Sequence, residues 1–143
     1  MKAAKYILFI GSIALIVAAI VIMAQPDSTF LVFVPDSGDT IDVPSSYFNI
    51  MILLGYANFG PPLTAIFSVL WLALSVLNLV LRSGVNKRVV KVFASVTAVL
   101  SAMTLLTMIT PPPLAFGIFG FITAAAALQI VVWRSTGQQK NPA

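Results

Sequence analysis

The residues best equipped for chemistry lie in one short stretch. Asp36, Asp39 and Asp42 recur at every third position, with Ser37 and Thr40 between them. Oxygens of this kind suit a hard cation such as Ca²⁺, which gathers several converging ligands. The stretch reads as a turn and a strand, however, and in an extended chain residues three apart point to opposite faces. Its spacing also differs from that of a calcium-binding EF-hand loop. Paired carboxylates doing acid–base work need a cleft between them, and nothing in the sequence supplies one. Asp36, Asp39 and Asp42 are therefore expected to form a solvated acidic surface offered to a partner. The chain has no Cys and no His, which removes thiol and imidazole chemistry. No cofactor, no metal site and no enzymatic activity are expected.

A second, weaker set of polar groups lies within apolar runs. Thr64, Ser68, Trp71, Ser75, Asn78 and Arg82 follow one another at spacings of three and four, so one helical face is mildly polar. Asn78 and Gln129 are the amides inside the apolar runs. Ser68, Trp71, Ser75, Asn78 and Gln129 are thus candidates for hydrogen bonds between helices, which are worth ~0.6 kcal/mol each in a membrane. The alternative is a polar lining for a small-molecule or water path. Trp71 would sit near mid-bilayer, where its N–H needs an acceptor; Ser68, Ser75 or a hydroxyl of the third span are the partners expected.

The elements that must position these groups are written in the hydropathy. Of 143 residues, 59% are apolar and 8% charged, with a mean hydropathy of +1.03; soluble domains carry about 25% charged residues. A membrane crossing takes ~20 apolar residues, and four such runs are present, near 6–24, 63–81, 89–110 and 114–133. The expected fold is an all-α integral membrane protein of one domain, a four-helix transmembrane bundle. Lys2 and Lys5 followed by an uncharged run could also open a cleaved signal peptide, but the run exceeds the usual ~7–15 residues of such a segment. The first helix is expected to be retained.

Between spans 1 and 2 lies the polar stretch 25–46, which holds all four carboxylates of the chain and no base. Thr29–Val34 is β-branched and aromatic, Pro35-Asp36-Ser37-Gly38 has turn chemistry, and Asp39–Val43 alternates polar and apolar. A small β-hairpin over 29–43 follows, with Pro44 ending its second strand. Residues 47–60 are apolar and aromatic and read as a short interfacial helix, with Tyr47 and Tyr56 at headgroup level; a re-entrant segment or a kinked extension of span 2 are the alternatives. Gly60-Pro61-Pro62 divides that piece from span 2, and Pro111-Pro112-Pro113 forces the turn between spans 3 and 4. The tail 134–143 is polar and expected to be disordered.

The bases are Lys2 and Lys5, then Arg82, Lys87, Arg88 and Lys91, then Arg134 and Lys140. In a four-span chain these all fall on one side. The positive-inside rule then places both termini in the cytoplasm and the acidic hairpin outside, and the absence of Cys, His and Asn-x-Ser/Thr sequons suits the inner (plasma) membrane of a bacterium. A net charge of +4 is accounted for by that asymmetry and calls for no nucleic acid. Offsets of 86 and 51 residues lay bases and prolines of the first two spans on those of the last two, as a duplicated helical hairpin would.

Ala14 with Ala18, Ala94 with Ala98 and Ala102, and Gly117, Gly120, Ala124 with Ala127 are runs of small residues that let helices approach. Most are expected inside the bundle; any strip left over, Gly117, Gly120 and Ala124 above all, would face a partner. No span contains Asp or Glu, whereas ion-coupled transport ordinarily keeps an ionisable group there. The outward β-segment before span 2 is similar in layout to claudin-type tetraspan proteins, but their Trp-Gly-Leu-Trp and Cys-pair signature is missing and no residue role carries over. The expected function is a non-catalytic membrane protein that binds another membrane protein or itself, as an accessory, assembly or immunity-type subunit. The alternative is a passive pathway or carrier of a lipophilic ligand, lined by the polar face of span 2 and Gln129.

Overall fold

The computed structural model describes residues 2–33, 38, 41–49, 59–81, 86–108 and 110–137. Its elements run α1 (Lys2–Met23), β1 (Thr29–Phe33), β2 (Ile41–Ser45), α2 (Gly60–Leu81), α3 (Lys87–Thr107) and α4 (Pro113–Gly137). All four helices are long and apolar enough to cross a membrane. At ~1.5 Å per residue each reaches about the ~30 Å of a hydrocarbon core.

Local chemistry sets the helix ends, and several differ from the sequence expectation. α2 starts at Gly60, not Leu63, because Pro61 and Pro62 occupy its first turn, where a missing N–H costs nothing. The first turn closes with Leu63 N–H donating to Phe59 O at 3.1 Å. α3 is shifted towards the N-terminus relative to the expected 89–110. Asn86 caps it, its Oδ1 accepting from the Arg88 N–H at 2.9 Å, and Met108 is already extended at φ −84°, ψ 124°. α4 opens on Pro113, with Ala115 N–H bonded to Pro112 O at 2.9 Å, and continues to Gly137. Arg134–Gly137 is therefore helix rather than tail, since nothing before Gly137 breaks it.

β1 and β2 pair antiparallel, with Thr29 opposite Ser45, Phe30 opposite Pro44 and Val32 opposite Asp42. Gly38 lies in the connection at φ +83°, a conformation that favours glycine. Pro44 lies inside β2 instead of ending it; the ladder tolerates it because its ring nitrogen can face away from β1. Residues 50–58, and with them most of the segment expected to be interfacial, fall outside the described residues, as do Asp36 and Asp39. Asp42 is placed by its backbone alone.

α1 packs most extensively on α4 and α2 on α3; α3 also packs on α4, and α1 touches α2 more lightly. Phe9 of α1 meets Trp133 of α4 with ring centroids 6.2 Å apart, and Lys91 of α3 lies 5.8 Å from the same indole. The starts of α1 and α3 and the end of α4 therefore share one end of the bundle. At the other end a Cβ on Gly117 would lie 3.9 Å from Ile22 Cδ1, and Thr64 Oγ1 is 3.2 Å from Thr104 Oγ1.

The buried stripe of α1 is Ser12, Ile16, Ala19 and Met23; Ala14 is exposed and Ala18 half-buried. On α4 the core face is Ala115, Ile118, Ile122, Ala125 and Gln129. Gly120, Ala124 and Ala127 are exposed and Gly117 half-buried, so this strip is left over by the packing within the bundle. The larger neighbours Ile118 and Ile122 fill the interior because they bring more dispersion contact than glycine can.

Candidate functional site

Four polar side chains from three helices meet in the interior. Gln129 of α4 accepts from Trp71 Nε1–H of α2 at 2.9 Å. Its amide NH₂ donates to Ser75 Oγ of α2 at 3.0 Å and to Ser12 Oγ of α1 at 3.2 Å. All four residues are fully buried. Ser12 also donates back to Phe9 O at 2.7 Å, so its hydroxyl both gives and accepts. A side-chain amide has two N–H donors, and both are committed here. The cluster closes on itself.

The sequence placed Trp71, Ser75 and Gln129 among the candidates, and the fold brings these three together. The acceptor for Trp71 is Gln129, not the Ser68, Ser75 or third-span hydroxyl expected. Ser68 is turned to its own helix and donates to Thr64 O at 2.7 Å. Asn78 is half-buried and stands apart from the cluster. Ser12 was missed, although it is the lone Ser or Thr between residues 6 and 24, a signal that could have singled it out. A polar group in hydrocarbon either bonds its own backbone or crosses to another helix. Thr97 and Thr123 take the first course, donating to Phe93 O at 2.7 Å and Phe119 O at 2.8 Å. Gln129 takes the second.

A second tightly tied region joins the hairpin to the bundle. Met23 O, at the end of α1, accepts from Ser28 Oγ at 3.0 Å and from the Tyr47 N–H at 3.0 Å. The two bonds satisfy a carbonyl that the helix end leaves open and clamp both roots of the hairpin to α1. Tyr47 is buried, 1% exposed, and burial pushes its phenol well above its ordinary value. Thr29 is fully buried, and its Oγ1 has no hydrogen-bond partner. Ser45, opposite it, accepts from Asn49 Nδ2 at 2.8 Å instead.

Among the described residues there is no group of His, Cys, Asp and Glu that could hold a metal ion. No protein-family model, curated protein or solved structure matches this chain.

Proposed function

We propose that this chain is a non-catalytic integral membrane protein that binds another membrane protein, as an accessory, assembly or immunity-type subunit does. The observation that carries the reading is a two-stranded hairpin whose two edges differ in chemistry. Opposed residues of an antiparallel ladder alternate between pairs that exchange both hydrogen bonds and pairs whose polar groups face outward. Pro44 has no N–H, so its pair with Phe30 is of the outward kind, and by alternation so is Val32 with Asp42. The β2 edge then carries a proline and an acid, two devices that discourage strand addition. The β1 edge, Thr29–Phe33, has neither charge nor proline and presents the backbone of Phe30 and Val32. An extended segment of a partner adds there by main-chain bonding.

The exposed strip of Gly120, Ala124 and Ala127 supports the same reading. Above Gly120 there is open space, and small residues on a lipid-facing surface let a second helix approach closely. In the sequence, Asp36, Asp39 and Asp42 give this same hairpin region its negative charge. The described bases Lys5, Lys87, Arg88, Lys91 and Arg134 gather at the bundle end away from the hairpin. The positive-inside rule then puts that end and both termini in the cytoplasm, with the hairpin outside.

The test is photocrosslinking in native membranes from a probe at position 30. A stoichiometric partner, lost with Val32→Pro and weakened by Gly120→Leu, is the expected result. Co-purification of the same partner with a chain lacking residues 29–43 would refute hairpin binding. A phenotype that survives this deletion but is lost with Asn78→Leu plus Gln129→Leu would favour a pathway instead. Because the chain has no Cys, Asp27→Cys and Ser135→Cys report orientation directly through an impermeant maleimide, the first reacting from outside and the second only after lysis.

A further inference from the structure

We propose that the basic end of the bundle binds the headgroup of an anionic phospholipid, with Lys91, Arg134 and Arg88 as its cationic contacts around the Trp133 indole. Three observations converge there. The first is placement: Trp133 is buried between Phe9 and the Lys91 ammonium, Arg134 follows it and is exposed, and Arg88 is exposed one turn before Lys91. Lys91 thus lies against the Trp133 indole, and Arg88 and Arg134 are exposed at the same end of the bundle, where a spanning helix meets the lipid phosphates.

The second is missing compensation. Every Asp of the chain lies between residues 27 and 42, and there is no Glu, so no acidic side chain of the chain is available to neutralise α3 or α4. The third is helix polarity. α1 and α3 both begin at this end, with no acid in the first turn of either, and Lys87 and Arg88 open α3. Cations at a helix N-terminus oppose the macrodipole. A phosphate placed among them is attracted by the side chains and by the positive ends of the helix dipoles together. Orientation during insertion needs only positive charge near the spans; it does not need cations gathered about a buried indole. The inference requires that the helices span a membrane and is independent of which side the end faces.

The purified full chain in nanodiscs tests this. Thermal unfolding followed by Trp emission is compared in phosphatidylcholine alone and mixed with phosphatidylglycerol, and retained lipid is counted by native mass spectrometry. A basic residue near an anionic surface contributes roughly fivefold in binding. The double substitution Lys91→Gln with Arg134→Gln should therefore weaken phosphatidylglycerol retention roughly 30-fold and abolish the melting shift. Lys91→Arg should keep both. Lys140→Gln, which removes a charge from the tail, should leave them unchanged. Equal retention in the double variant and in Lys140→Gln overturns the proposal, as does an equal shift in phosphatidylcholine supplemented with inorganic phosphate. A double variant that melts like the wild type in phosphatidylcholine establishes that lost retention is not lost folding.

Discussion

Replacing Gln129 by leucine would remove the link between α1, α2 and α4 while keeping the volume nearly constant. Three hydrogen bonds end on this side chain, at 2.9, 3.0 and 3.2 Å. At ~0.6 kcal/mol each for bonds between membrane helices they sum to about 2 kcal/mol. The Trp71 N–H would in addition be left without an acceptor in a fully buried position, and an orphaned buried donor costs about 1–3 kcal/mol. Gln129→Leu should therefore destabilise the bundle by about 3 kcal/mol. Reversible unfolding in bicelles, followed by steric trapping, measures this. The diagnostic is a cycle with Trp71→Phe, which removes the donor. The double variant should cost less than the sum of the singles by roughly 1 kcal/mol, because no N–H is then stranded. Additive losses, or a Gln129→Leu protein as stable as the wild type, would refute the network as a structural tie.

Other outcomes follow from the same reasoning. Thr29→Val removes a buried hydroxyl that has no partner and keeps the shape, so unfolding should become harder by about 1 kcal/mol; a loss of stability would mean that Oγ1 has an acceptor. Asn86→Ala deletes the cap of α3 and should cost about 1 kcal/mol, whereas Asn86→Asp should hold stability by retaining the acceptor. Tyr47 has a folded-state value raised above its ordinary 10.0 by burial. Its contribution is then intact below pH 10 and lost as pH climbs towards the folded value. Alkaline titration should show a late tyrosine ionisation, and Tyr47→Phe should remove that late step. A single common titration would contradict the burial.

Much of the chain was legible residue by residue. Four apolar runs, the prolines that separate them and the clustering of bases away from the acids are local properties, and span length and charge asymmetry act on them directly. The hairpin was equally readable, because Thr29–Phe33 and the Gly38 turn carry their own strand and turn preferences. The precise ends were less so: Pro61 and Pro62 entered α2, and α4 ran past Arg134, since either choice satisfies the chain locally.

Which face of each helix turns inward was decided only by packing. In a soluble helix the polar side marks the outside, but here nearly every side is apolar and periodicity carries little information. The sequence alone could not say which of the small runs the bundle would consume; in the fold Gly120 and Ala124 stay exposed, and Ile118, Ile122 and Gln129 fill the interior. The same holds for Ser12, Trp71, Ser75 and Gln129. Their types announced that each must find a partner in hydrocarbon; which partner depended on three helices coming together at one level, a long-range fact that no single segment contains.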